Sequence, residues 1–111
     1  EFRIFTYPRS VFPPTDFHTA TFVDGFIYVV GCLGYPDDRR PGNTPIYRLD
    51  CKTWKIEQVR SSGTGPGWIY RHSAKLDGTT IKLSGGTIWT GTEFTDNTRE
   101  FTFDCAKLTW N

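Results

Sequence analysis

Apolar and polar residues fall in short bursts separated by turn signals, and no apolar stripe keeps a 3.6-residue period over ten residues. His18 to Val23 is rich in β-branched and aromatic residues and closes on Asp24-Gly25, a hairpin signal. Phe26-Ile27-Tyr28-Val29-Val30 follows as a continuous apolar run bounded by turns, the pattern of a strand buried on both faces. Ile46–Leu49 predicts a third strand, Asp50-Cys51-Lys52-Thr53 a turn, and Trp54–Val59 a fourth strand. The series then returns as Ser73–Leu76, the Asp77-Gly78 turn, Thr80–Ser84, Arg99–Phe103 and a turn leading to Trp110. This pattern predicts an all-β chain.

The return is a repeat. His18-Thr19-Ala20 matches His72-Ser73-Ala74 at an offset of 54, and Asp24-Gly25 matches Asp77-Gly78 at 53. Gly31-Cys32 matches Gly85-Gly86, and Leu49-Asp50-Cys51 matches Phe103-Asp104-Cys105, both at 54. Four antiparallel strands in about 50 residues, repeated, are the grammar of a propeller blade. A third, partial copy opens the chain: Phe2-Arg3-Ile4-Phe5-Thr6-Tyr7 aligns with Trp54-Lys55-Ile56-Glu57-Gln58-Val59.

These residues resemble the kelch repeat, which is marked by a glycine pair ending the second strand, a Tyr on the third and a Trp opening the fourth. The first unit carries Gly31-Cys32, Tyr47 and Trp54; the second carries Gly85-Gly86, Phe101 and Trp110. Cys32 departs from the second glycine, Phe101 from the tyrosine, and Trp110 sits two residues late. The resemblance implies kelch-type β-propeller blades of four antiparallel strands, making an incomplete ring in a single chain. The domain reading is one segment, 1–111, with 2–7 an outer strand of a preceding or closing blade, 18–59 the first blade and 72–110 the second. In this reading residues 2–7 pair beside Arg99–Phe103 of a final blade. Rings close with roughly 4–8 blades, so two blades belong to a longer propeller or to a dimer or trimer of copies. The chain contains no Met, even at position 1, which favours a processed chain or a piece of something longer.

Composition narrows the function classes. Thirteen basic against twelve acidic side chains give a net charge of +1, so there is no electrostatic footprint for nucleic acid or an anionic membrane. The longest apolar run is Phe26–Val30, too short for a transmembrane span or signal peptide. Three cysteines, at 32, 51 and 105, form no CxxC pair, so reduced thiols and a cytoplasmic location are expected.

Candidate chemistry is thin. His18 and His72 occupy one repeat position, as do Cys51 and Cys105, and repeated placement points to structure before catalysis. Gly63-Thr64-Gly65-Pro66-Gly67 lacks the Lys-Ser/Thr ending of a phosphate loop and reads as a flexible connection between blades. Asp37 and Asp38 are followed by Arg39 and Arg40, a self-compensated charge cluster. No catalytic set, metal site or cofactor is expected.

Function in a propeller lives in the loops on a rigid scaffold. The long segment Leu33–Pro45, its counterpart Thr87–Thr98 and the inter-blade stretch Trp68–Arg71 are expected to share one face. That face gathers Tyr35, Arg39, Arg40, Trp68, Tyr70, Arg71, Trp89 and Asn97, a composition typical of interaction hot spots. It would suit an acidic or carboxylate-bearing peptide. The expected function is therefore a non-catalytic protein-interaction scaffold. The alternatives are a sugar or small-metabolite enzyme working in the central funnel of a complete propeller, and a self-assembling unit with no separate activity.

Overall fold

A computed structural model describes residues 17–111. In chain order its strands are β1 (Thr19–Val23), β2 (Phe26–Val30), β3 (Ile46–Asp50), β4 (Ile56–Gln58), β5 (Trp68–Tyr70), β6 (Ser73–Asp77), β7 (Thr80–Ser84), β8 (Thr87–Trp89), β9 (Phe94–Asp96), β10 (Phe101–Asp104) and β11 (Thr109–Trp110). A 3-10 turn spans Pro36–Asp38. The chain is all-β. Its first sheet has the order β1-β2-β3-β4, its second β11-β10-β7-β6, and a smaller third sheet β5-β8-β9. Every strand pair within these sheets is antiparallel. The expected strand at 2–7 lies outside the described residues.

The repeat holds at the level of hydrogen-bond register. Moved by 54 residues, the pair Thr19↔Val30 becomes Ser73↔Ser84, and Phe26↔Asp50 becomes Thr80↔Asp104. Likewise Leu49↔Ile56 becomes Phe103↔Trp110. Turn chemistry repeats with it. Asp50 Oδ1 accepts the Lys52 amide at 2.8 Å, and Asp104 Oδ1 accepts the Ala106 amide at 2.9 Å. These Asx turns close the chain after the third strand of each sheet.

Register corrects two expectations. The first is the tryptophan pair: Trp110 is the counterpart of Ile56, and Trp54 is the counterpart of Leu108. Trp54 and Leu108 both sit before the fourth strand in left-handed backbone, at φ 61° and 56°. The fourth strand therefore begins at Ile56, and Trp54 stays 42% exposed while Trp110 is 6% exposed. The second is the turn after the first strand. It is Asp24-Gly25 in one sheet but Gly78-Thr79 in the other, because Asp77 still pairs with Thr80. This one-residue slip of the Asp-Gly signal explains its offset of 53. One edge of β10 is paired by β11, through Phe103↔Trp110 and Asp104↔Thr109. The second sheet thus has its own fourth strand.

The two large sheets stack face to back. Val23, Tyr28, Val30 and Ile46 from the first sheet meet Ile81, Leu83, Phe101, Phe103 and Trp110 from the second in one core. Tyr28 lies 6.4 Å from Phe103 between ring centroids, and Phe103 lies 4.9 Å from Trp110. Side chains alternate faces along a strand, so Tyr28 and Val30 point one way and Ile27 and Val29 the other. The repeat counterparts of Ile27 and Val29 are Ile81 and Leu83, which face the first sheet. Equivalent residues therefore sit on opposite sides of the junction, as in a stack that repeats by translation and rotation.

The glycine-rich connection is packed, contrary to the expectation of a flexible loop. Ser62 donates its amide to the Leu108 carbonyl at 3.1 Å, and Trp110 donates to the Ser62 carbonyl at 2.8 Å. A Cβ on Gly65 would stand 2.8 Å from the Trp110 indole, so the absence of a side chain there lets the loop lie against the ring.

Candidate functional site

The third sheet was expected to be loop, and it builds the candidate surface. Its strands are only three residues long, and they come from the inter-blade stretch and from the segment between β7 and β10. Trp68 pairs with Trp89, and Trp89 with Phe94, so these three residues stand on one face of the sheet. Trp68 is 5% exposed and donates its indole Nε1–H to the Leu33 carbonyl at 2.9 Å. The same carbonyl accepts Arg39 Nε at 3.1 Å, and Arg39 Nη2 reaches the Gly34 carbonyl at 3.4 Å. The 3-10 turn at Pro36–Asp38 reverses the chain between Gly34 and Arg39, which brings the guanidinium back over the sheet.

There it meets two rings. Arg39 Cζ lies 5.6 Å from the Trp89 ring centroid and 5.4 Å from that of Phe94, both within cation–π range. Trp89 and Phe94 are 4.6 Å apart, and Phe94 meets Tyr70 edge-on at 6.2 Å. Tyr70 in turn lies 6.4 Å from Phe17, over which Arg71 is placed at 4.5 Å. The result is a continuous row, Arg39–Trp89–Phe94–Tyr70–Phe17–Arg71, with a guanidinium at each end. Phe94 and Phe17 are about half exposed, at 49% and 47%.

Five of the eight residues read from the sequence therefore meet here or directly beneath: Arg39, Trp68, Tyr70, Arg71 and Trp89. Tyr35 stands at the N-cap of the 3-10 turn and is 63% exposed. Arg40 closes its own loop instead, donating Nη1 to the Asp37 and Arg39 carbonyls at 2.9 and 3.0 Å. The structure thus directs both arginines to backbone carbonyls, and Arg39 also to rings, in addition to any charge balance with Asp37 and Asp38. Asn97 is a turn residue: its Nδ2 donates to the Gly85 and Arg99 carbonyls, each at 2.9 Å, and its Oδ1 accepts the Arg99 amide at 3.1 Å. Its amide is spent on the fold.

Phe17 and Phe94 were missing from the sequence-read site. Phe17 had a signal available, since it is the repeat counterpart of Arg71 and shares its left-handed backbone, φ 54° against 57°. Phe94 lay in a segment read as loop, although Thr87-Ile88-Trp89 and Phe94-Thr95-Asp96 carry the residue types of a short hairpin.

Two buried groups, His72 and Cys105, are shifted toward their neutral forms. His72 is 7% exposed, and its Nε2 lies 2.9 Å from Thr19 Oγ1. Burial, with His18 as a further cause, lowers its pKa from 6.5 to about 4 against an opposing effect of the Val30 carbonyl. That carbonyl is near enough to favour the cation, yet Nδ1 makes no hydrogen bond. His72 is a neutral imidazole in the sheet junction. Burial, then Asp104 and Asp24, push the Cys105 thiol up to about 11, with Arg48 opposing, so no thiolate forms at neutral pH. No disulfide joins Cys32, Cys51 and Cys105. Among the described residues no group of three or more His, Cys, Asp or Glu is placed to hold a metal ion, and no helix is long and apolar enough to cross a membrane. No protein-family model matches the chain, and no curated protein compared with it matches.

Proposed function

We propose that the two four-stranded sheets are kelch-type propeller blades and that the chain is a protein-interaction scaffold without catalytic chemistry. Three features support the blade reading: strand order, the 54-residue register repeat and face-to-back stacking. The glycine ending the second strand adds a fourth. A Cβ on Gly31, at φ 76°, would fall 2.5 Å from the Ile69 carbonyl oxygen, so this place requires glycine for the third sheet to approach.

The observation that carries the binding reading is the row from Arg39 to Arg71. The half-exposed Phe94 and Phe17 rings, seated on buried Tyr70 and flanked by guanidinium groups, offer apolar contact area at the centre and carboxylate recognition at the ends. A short acidic peptide with an apolar residue between its carboxylates matches that spacing of chemistry. The test is fluorescence anisotropy with a labelled peptide of alternating Glu and Leu, against a Lys and Leu peptide of equal length. Saturable binding of the acidic peptide, weakened at least about tenfold by Arg71→Gln combined with Phe94→Ala, is the expected result. Equal binding of both peptides, or no response to the double substitution, would remove this assignment.

A further inference from the structure

We propose that the open edge of β9 pairs with β9 of a second copy of the chain, in one register centred on Thr95, and that Arg39 and Asp96 form reciprocal ion pairs across that junction. The inference uses the backbone of the third sheet and does not rest on peptide binding to the aromatic–arginine row.

Hydrogen bonds alternate in direction along an antiparallel strand, so a residue bonded to one neighbour turns its backbone groups away from the other. Thr90 donates its amide to the Glu93 carbonyl at 3.0 Å, and Asn97 donates to the Gly86 carbonyl at 2.9 Å. Between these bonds, the pair whose backbone groups face each other is Ile88↔Thr95. The amides and carbonyls of Phe94 and Asp96 therefore point outward in the plane of the sheet, and none is bonded among the described residues. The opposite edge of the sheet is closed. There the Ile69 carbonyl accepts the Cys32 amide at 3.1 Å, and Arg71 donates to the Phe17 carbonyl at 3.0 Å. β9 also lacks the Pro, Lys or bulge that blunts an edge strand.

One register satisfies this edge with a second β9. Setting Thr95 opposite Thr95 of the second copy puts Phe94 opposite Asp96, and Asp96 opposite Phe94. Every outward amide and carbonyl of both strands then has a partner. Setting Asp96 against Asp96 would oppose like charges, which is destabilising. Setting Phe94 against Phe94 would carry Asp96 past the partner strand, opposite Thr92 in the hairpin turn.

Charge selects the same register. Phe94 and Asp96 stand with Trp89 on the outer face of the sheet, and on that face Arg39 Cζ lies 5.4 Å from the Phe94 ring centroid. Arg39 Nε and Nη2 go to the Leu33 and Gly34 carbonyls, which leaves Nη1. Residues opposite each other on adjacent strands have Cβ atoms about 4.5–5.5 Å apart, so Asp96 of the second copy stands beside Phe94 and within reach of this guanidinium. Asp96 is exposed and makes no side-chain hydrogen bond or ion pair among the described residues. The two-fold axis at Thr95 makes the Arg–Asp pair occur twice, as an isologous contact requires. The product is one continuous sheet in the order β5-β8-β9-β9-β8-β5. Strands this short bury little surface, so the dimer is expected to be weak and to exchange rapidly with monomer.

The test is the mass of the chain by analytical ultracentrifugation from about 10 μM to about 1 mM, a range suited to a small interface, on protein with intact near-UV circular dichroism. The parent is expected to rise from monomer toward dimer and no further. Asp96→Arg sets two cations together and should stay monomeric throughout. Combining Asp96→Arg with Arg39→Asp exchanges the charges and should restore the dimer. If the double variant does not fold, amide hydrogen exchange of the parent takes its place. Phe94 and Asp96 amides should then slow with protein concentration, while Thr95 stays protected throughout, and Asp96→Arg should abolish the concentration dependence. A parent that remains monomeric at the highest concentration would overturn the proposal, and so would an Asp96→Arg variant that associates like the parent. A folded double variant that stays monomeric would overturn it too. A monomeric parent whose Phe94 and Asp96 amides slow only when the alternating Glu and Leu peptide is added would give this edge to a foreign strand, and the proposal would fall.

Discussion

Thr19 Oγ1 lies 2.9 Å from His72 Nε2, and this contact ties the first strand of one large sheet to the residue leading into the first strand of the next. Burial holds His72 near 4, below its ordinary 6.5. Between those values the unfolded chain binds a proton that the folded chain does not. Stability is therefore full above pH 6.5 and falls as pH drops toward 4, by up to about 1.4 kcal/mol per pH unit from this group. Denaturant midpoints measured from pH 4 to 8 should show that loss, and His72→Gln should flatten it.

Gly31 and Gly25 separate two costs of adding a side chain. Both have left-handed backbone, at φ 76° and 85°, but Gly25 has open space around it while Gly31 faces the Ile69 carbonyl and the His72 ring. Gly25→Ala is expected to cost about 1 kcal/mol, from backbone conformation alone. Gly31→Ala should cost at least about 3 kcal/mol and loosen the contact of the third sheet with the first. Urea unfolding of both variants decides it, and equal costs would contradict the close approach.

The two tryptophans before or within the fourth strands should respond unequally. Trp110 is 6% exposed and packs on Phe103 in the shared core, whereas Trp54 is 42% exposed at the turn. Trp110→Ala is expected to lose about 3–5 kcal/mol. Trp54→Ala should lose about 1 kcal/mol or less. Had the two tryptophans been repeat counterparts, their costs would be similar, so thermal melts of the pair check the register directly.

Asn97 and Arg71 divide structure from binding. Asn97→Ala removes three hydrogen bonds that close the turn after β9 and should cost about 2 kcal/mol while leaving affinity for the acidic peptide unchanged. Arg71→Gln should do the reverse, with a change in stability under about 1 kcal/mol and a loss of affinity. Anisotropy and melting curves on the same two variants test both halves.

Much of the architecture was legible from local chemistry. The Asp24-Gly25 hairpin, the alternation of β-branched and aromatic residues, and the anchors recurring at 54 identify seven of the eight strands in the two large sheets, four in the first unit and three in the second, and the order of the chain within each unit is the order of its strands. The Asp-Gly offset of 53 was the limit of that reading. A turn signal marks a turn only to within a residue, whereas the ladder of backbone hydrogen bonds sets the partner of every residue, and it moved the turn to Gly78-Thr79. The same ladder separated Trp54 from Trp110.

The third sheet was decided only by tertiary structure. Strands of three residues bury too little to form alone, and Trp68–Tyr70 becomes a strand because Thr87–Trp89 is held beside it by the sheets on which both rest. Arg39 reaches Trp89 and Phe94 for the same reason: the Leu33 carbonyl that anchors it is fixed by Trp68, 35 residues further along the chain. Likewise, an imidazole repeated at positions 18 and 72 could be recognised as a repeat feature, but its protonation depends on the water that the second sheet excludes. Backbone pairing follows from nearest-neighbour chemistry along the chain. Stacking, desolvation and the meeting of arginine with aromatic rings depend on residues brought together through space.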